Sequence, residues 1–183
     1  VGVRANTSLV KDAGGETERG ILVNKKMETT LPHVYAAGDC TQGNELLSGQ
    51  KRVLALLPNA YMQGQCAGIN MAGGESVFDK AIAMNSIGFF GLHLMTAGCC
   101  FPKEEGGEVY EEHIPGGIKR LFTKDGFLTG FMLINATDRA GIYTAMIREQ
   151  IPLDTVNFEL LQKTASLCAF SAENRRKKLG GVV

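Results

Sequence analysis

The chain has no tryptophan, only five prolines, and no net charge, since nineteen Lys and Arg side chains meet nineteen Asp and Glu. The balance holds regionally too: residues 1–75 carry seven of each sign and the remainder twelve of each. A protein that binds duplex nucleic acid through its phosphates needs a cationic face, and no such excess is present, so nucleic acid is not expected as a partner. There is no Cys-x-x-Cys, and the five cysteines (Cys40, Cys66, Cys99, Cys100 and Cys168) are an odd number. A disulfide scaffold and a zinc ribbon are therefore not expected, and a reducing, cytoplasmic compartment is. The first residues, Val-Gly-Val-Arg, include neither an initiator Met nor a charged leader with an apolar core. The expectation is a piece of a longer protein. Charge is missing altogether from 53–74 and 81–102, two runs of 22 residues. Length alone admits a membrane span. Pro58, Asn59, Gln63, Gln65 and Asn70 in the first run, and Asn85, Ser86 and His93 in the second, instead suggest buried elements of a water-soluble fold, with no membrane partner.

Glycine is what the chain has in abundance, 23 residues in 183. Hydrophobic residues reach 44% and charged residues 21%, a globular composition. The abundance of glycine points to tight turns and close backbone approaches, as in nucleotide-binding α/β proteins. Along the chain, a helical turn is expected near Leu9–Ala13, a β-rich run over Gly20–Asn24 and a turn at Thr29–Pro32, where the residue before proline avoids the α region. Val34-Tyr-Ala-Ala-Gly-Asp39 is short, apolar and closed by Gly-Asp, the pattern of a fully buried parallel strand. In open α/β sheets ligands bind beyond the carboxyl ends of such strands, which would place Gly38 and Asp39 at a site. A loop over Cys40–Arg52 leads to a helix from Pro58 to Ala72. Proline suits its first turn, Gly73-Gly74 its end, and Ala60, Gly64, Ala67, Gly68 and Met71 its packing face.

A boundary is expected at Gly74–Ser76. Beyond it the pattern predicts a helical piece near Asn85–Phe90 and strands at Leu92–Ala97, Glu108–His113, Ile118–Thr123 and Phe127–Ile134. Lys124-Asp-Gly126 is a hairpin signal, because a type I′ turn needs positive φ at both central positions. Asp138 would cap a helix from Arg139 to Gln150, with Ala140, Tyr143, Ile147 and Ile151 on one face. A last helix is expected near Thr155–Leu167, followed by a solvated tail around Arg175–Lys178. No catalytic constellation is visible in this second block, and an interaction or shielding module suits it better than an active site. His33 beside Pro32 reads as a turn residue rather than a base. Cys99 and Cys100 lie in an apolar run and would close a strained ring, so both are expected as buried structural thiols.

Met27-Glu-Thr-Thr-Leu-Pro-His-Val-Tyr-Ala-Ala-Gly-Asp-Cys40 resembles the second flavin-binding motif of the FAD-dependent pyridine nucleotide–disulfide oxidoreductases. Thr29 matches the motif's threonine, Val34–Ala36 its strand, and Gly38 and Asp39 its terminal pair. The segments around Gly2–Asn6, Lys11–Gly14, Arg19–Val23 and Ala60–Gly73 are similar to what flanks the motif in that superfamily. Met84–Ile87, Phe90–Leu92, Thr96–Gly98, Gly126–Ile134 and Asp138–Ile142 are similar to the C-terminal domain of its NADH:rubredoxin reductase and NADH-dependent nitrite reductase relatives. The sequence departs from the family in holding no Gly-x-Gly-x-x-Gly.

The resemblance implies an α/β plus α+β protein: the C-terminal portion of a Rossmann-like FAD-binding domain over 1–75, a small sheet-and-helix interface domain over 76–173, and a tail over 174–183. It implies cofactor contacts at Gly38, Asp39, Leu57, Pro58 and Asn59. Asp39 would accept a hydrogen bond from the ribityl chain, while the helix start at Leu57–Asn59 would set partial positive charge against the flavin N1–C2=O edge. The activity implied is electron transfer from NADH or NADPH through FAD to an acceptor such as rubredoxin, by a homo-oligomer; oxygen, nitrite and a disulfide are the other acceptors. The alternative is a non-catalytic dimerisation or partner-docking module.

Overall fold

The computed structural model describes residues 2–100 and 106–179, with side chains through Arg176. The chain divides into two compact units, Val1–Ala83 and Met84–Val183. The division falls after Ala83 rather than at Gly74–Ser76 because the intervening segment turns back onto the first unit. Phe78 N donates to Lys25 O and Leu46 N to Ala81 O, and Lys25 pairs with Asp79.

In the first unit the helical turn α1 covers Ser8–Asp12, and β1 (Ile21–Leu22) pairs in parallel with β2 (Thr41–Asn44). β2 in turn pairs antiparallel with β3 (Lys51–Arg52), inside the stretch expected to be loop. The parallel strand thus lies just after Asp39, not before it. Val34–Ala37 instead folds back on Met27–Thr29: Thr29 N donates to Val34 O, Ala36 N to Met27 O, and Glu28 bridges Tyr35. These local bonds use the backbone groups a ladder would need. Val34 is 37% exposed, and Tyr35–Ala37 are half-buried against a core of Val10, Ile21, Val23, Met27, Cys66 and Ala67.

The helix α2 runs over Leu57–Met71, close to expectation. It ends at Gly73, whose φ of 82° is the left-handed stop that glycine supplies. Its buried face is Asn59, Gln63, Cys66, Ala67 and Asn70, whereas Gly64, Gly68 and Met71 point to solvent. Of the expected small residues, Ala67 is buried and Ala60 half-buried. Polar side chains supply the rest of this face, by binding backbone groups of the surrounding loops.

The second unit is an antiparallel sheet in the order β4-β5-β8-β7-β6. Its strands are Met84–Phe89, Leu92–Gly98, Gly107–Ile114, Gly117–Lys124 and Phe127–Ile134 for β4 through β8. Strand β4 replaces the helical piece expected near Asn85–Phe90. Five of its six residues are exposed, so neither face imposes the alternation that identifies a strand. Nor is the uncharged run 81–102 uniformly buried: Ile87, Phe89, Phe90 and Leu92 are all exposed at this hairpin. The Asp125-Gly126 turn has φ of 51° and 78°, the I′ geometry the dipeptide predicts.

Between β7 and β8 the register shifts at Phe122/Thr123. The bulge leaves Thr129 over, with Oγ1 donating to Phe122 O. It also changes the parity of β8, so Leu128 on one side and Phe131 and Leu133 on the other all reach the core.

The helix α3 (Ala140–Arg148) packs on β8 with Ala140, Tyr143, Met146 and Ile147 buried. Asp138 does not cap it. Arg139 holds the N-cap position at φ 57°, with no side-chain cap. The expected last helix is shorter, α4 over Phe158–Lys163, flanked by single 3-10 turns. The basic stretch expected as a solvated tail belongs to α5, Ala172–Leu179; Gly180 and Gly181 lie outside the described residues. Among the described residues no helix is long and apolar enough to cross a membrane.

Candidate functional site

Gly38 has φ of 88°, a conformation that side chains with a Cβ rarely adopt. It turns the chain from Ala37 into β2 and presses against α2: a Cβ at Gly38 would sit 3.7 Å from the Ala60 Cβ. Three hydrogen bonds hold the turn. Gly38 N donates to Gln63 Oε1 at 2.8 Å, Thr41 Oγ1 donates to Gly38 O at 2.8 Å, and Thr41 N to the same oxygen at 3.0 Å. Gln63 and Thr41 are buried. The Gly38-Asp39 turn is thereby fixed beside the first turns of α2.

Asp39 projects outward from this turn. It is exposed, and no donor among the described residues bonds its carboxylate. Leu57 and Pro58 are also exposed at the start of α2, Leu57 by 84%. Leu56 holds the N-cap in extended conformation with no side-chain hydrogen bond, and proline occupies the first turn. The N–H groups of a helix's first turn have no intrahelical acceptor, so that of the exposed Leu57 is available to an anion or an electronegative edge.

Asn59 differs from its two neighbours. It is fully buried, with Nδ2 donating to Ile82 O at 3.0 Å. Its Oδ1 is the buried side-chain oxygen of the first unit that lacks a partner among the described residues. The side chain anchors the helix start to the 76–83 segment. The structure therefore brings Gly38, Asp39, Leu57, Pro58 and Asn59 into one neighbourhood of the first unit.

Sequence reasoning missed Gln63, which holds the turn, and Asn70. Asn70 Nδ2 donates to Lys26 O and Ser76 O, while its Oδ1 accepts from Ser76 N. The available signal was the spacing of Asn59, Gln63 and Asn70, a polar stripe at helical period on the face that packs inward. Thr29 serves locally: its Oγ1 donates to Val34 O and accepts from Leu31 N, which pins the turn. His33 is a turn residue at φ 61°.

The second unit holds a different polar cluster. Lys119 is buried, pairs with Glu112 and donates to Lys163 O at 3.1 Å. The Tyr143 hydroxyl donates to Leu161 O at 2.6 Å. Burial, reinforced by the charge of Glu112, pushes the Tyr143 phenol up to about 12. Both donors satisfy carbonyls of α4, which is a packing role. Cys100 is half-buried and Cys99 is exposed, contrary to the expectation that both are buried.

Residues 1–64 match the pyridine nucleotide-disulphide oxidoreductase family. The chain is 34% identical over 157 residues to the NADH-dependent phenylglyoxylate dehydrogenase subunit epsilon of Aromatoleum evansii, a match covering 83% of this chain and 37% of that protein. It is 27% identical over 142 residues to the NADH-rubredoxin oxidoreductase of Clostridium acetobutylicum, covering 78% of this chain and 33% of that protein. In fold it is similar to the NAD-dependent persulfide reductase from A. fulgidus, with a TM-score of 0.75 at 21% identity over 86% of this chain and 33% of that one. The chain spans about a third of the length of these proteins.

Proposed function

We propose that the chain is the C-terminal part of an FAD-dependent pyridine nucleotide-disulphide oxidoreductase that carries electrons from NADH or NADPH to an acceptor. On this reading the first unit, through Ala83, completes the FAD-binding domain and the second, from Met84, forms an interface domain. The observation that carries the reading is the pairing of an exposed, unbonded Asp39 carboxylate with an uncapped helix start, both fixed around the left-handed Gly38.

These residues fit a flavin. A polyol chain needs an acceptor for its hydroxyl protons, and Asp39 offers one on a backbone turn without a Cβ at Gly38. The start of a 15-residue helix carries partial positive charge and unpaired N–H groups. Leu57 N would donate to an electronegative ring edge, and the helix start, which Asn59 anchors, would favour negative charge there. Pro58 holds the first turn without a competing donor. The flavin supplies hydride and electron transfer; the protein binds, orients and tunes it. NADH as donor is supported by the names of the relatives, and rubredoxin as acceptor by one of them.

The test is Asp39→Ala in the flavoprotein that carries this chain. A hydrogen bond to a charged group contributes about 1.5–3 kcal/mol, so FAD affinity should fall roughly tenfold to hundredfold. Unchanged affinity with full flavin occupancy would contradict the assignment. The 183 residues alone should purify without flavin absorbance, since they hold no Gly-x-Gly-x-x-Gly turn for the pyrophosphate.

A second reading, that residues 84–179 serve as a dimerisation or partner-docking surface, is favoured by the exposed hairpin tip. Ile87, Phe89, Phe90 and Leu92 are 53%, 66%, 93% and 50% exposed, and Phe89 and Phe90 stack edge to face. Sedimentation of Phe89→Ser/Phe90→Ser tests it: the wild type should be a homo-oligomer and the variant a monomer.

A further inference from the structure

Adjacent cysteines are rare neighbours, and the fold treats this pair asymmetrically. Cys99 is exposed, whereas Cys100 is half-buried with Sγ 3.2 Å from Phe131 O and 3.7 Å from Ala97 O. Their backbone is held in place by the β8 bulge. Cys99 N donates to Thr129 O at 2.9 Å. A Cβ on Gly130 would lie 2.0 Å from Cys99 O, and one on Gly98 would lie 2.1 Å from Thr129 O. Two glycines thus allow two backbones to touch where the thiols leave the sheet, so this segment has little freedom to rearrange.

That rigidity decides what the pair can bind. Consecutive Cα atoms are about 3.8 Å apart across a trans peptide, short of the roughly 4.4–6.8 Å a disulfide usually spans. The described peptide bonds are trans. A direct S–S bond is therefore disfavoured, and a bridging atom that separates the sulfurs suits the pair better. Thiols select soft centres. Zinc is poorly served, because a structural site needs four ligands and no group of three or more His, Cys, Asp or Glu residues gathers among the described residues. A trivalent arsenic carrying one organic group needs two sulfurs and no third ligand.

We propose that Cys99 and Cys100 form a two-thiol site for monosubstituted trivalent arsenicals. The reaction is a condensation without change of oxidation state: two S–H bonds break, two As–S bonds form, and the arsenoxide oxygen leaves as water with the two thiol protons. Burial and the neighbouring Cys99 push the Cys100 thiol up, which keeps it protonated and slow in disulfide exchange while leaving its proton for this step. The exposed Cys99 engages first, and Cys100 closes the ring as its sulfur leaves Phe131 O. The site is independent of the flavin reading.

Phenylarsine oxide is the probe, with native intact-mass spectrometry as the readout. The wild type should retain one equivalent, released by a dithiol such as 2,3-dimercaptopropanol and resistant to a monothiol. Cys99→Ser and Cys100→Ser should each weaken retention by about a hundredfold or more, the loss expected when a two-point attachment becomes single. Cys100→Ser retains a hydroxyl that can donate to Phe131 O, so its loss of capture would not report unfolding; unchanged circular dichroism checks this. Cys40→Ser and Cys168→Ser should bind as the wild type does. No retention by the wild type, retention by Cys100→Ser equal to the wild type, or a stable two-proton mass loss with diamide that replaces arsenical capture would each overturn the proposal.

Discussion

The two units are stabilised by different means. The first buries six polar side chains, Thr41, Gln42, Glu45, Asn59, Gln63 and Asn70, around a small apolar core, and its strands run to four residues at most. Among the described residues the second buries two polar ones, Lys119 and Thr123, and closes a sheet of six- to eight-residue strands over Phe131, Leu133, Tyr143, Ile147 and Leu161. Side chains that bind backbone fix loops in chosen positions, which suits a site built from a turn and a helix start. Apolar packing of a long-stranded sheet stabilises a scaffold without specifying any loop. The unit with the weaker core is the one that presents Asp39 and Leu57.

Phe131→Ala should show the largest effect. Phe131 is 1% exposed and packs on Tyr143 with ring centroids 5.8 Å apart. Large-to-small core changes of this type cost about 3–5 kcal/mol. The second unit should unfold at lower denaturant, while amides of the first unit keep their hydrogen-exchange protection. Loss of protection in both units together would abolish the contrast.

Gln63→Ala comes next. It leaves Gly38 N without its acceptor, while the Thr41 hydroxyl keeps Gly38 O, a desolvation cost of about 1–3 kcal/mol. The expected result is faster exchange at Gly38 N and weaker FAD binding in the flavoprotein, with little change in the second unit. Intact protection at Gly38 would show that the turn does not depend on the polar stripe.

The smallest effect at neutral pH belongs to Tyr143. Its folded pKa of about 12 lies above the ordinary tyrosine value of 10.0, so the folded state holds the proton more tightly than the unfolded one. The hydroxyl's contribution is complete below pH 10 and is lost as pH rises from about 10 through 12. Ultraviolet titration should show one tyrosine ionising last, and Tyr143→Phe should remove that last step. An early, ordinary titration of all four tyrosines would contradict the buried Tyr143–Leu161 bond.

Much of the second unit was legible because its physics is local. Asp125-Gly126 specifies its turn, and Phe127–Ile134 carries β-rich residues. The β4 strand was not legible, because an exposed strand has no buried face to impose alternation and its Phe90-Gly91 turn places a bulky residue at positive φ. Asp138 was misplaced as a cap because helix starts are set by chain direction as much as by residue type. In the first unit the α2 boundaries were legible from Pro58 and Gly73. Val34–Ala37 was not: an apolar run ending in Gly-Asp has the same appearance whether its partner is a parallel strand or, as here, Met27–Thr29. The candidate cofactor contacts came from resemblance, while Gln63, which holds the Gly38 turn, shows in the sequence only as one member of a polar stripe at helical spacing, and the stripe does not say which backbone groups it meets.

The most direct test of the account is hydrogen exchange of the apo flavoprotein with and without FAD. Stoichiometric FAD should protect the amides of Gly38, Asp39, Leu57, Asn59 and Ala60 more strongly than any group in 84–179. Stoichiometric binding with no protection at these amides would contradict the assignment of this turn and helix start to the flavin.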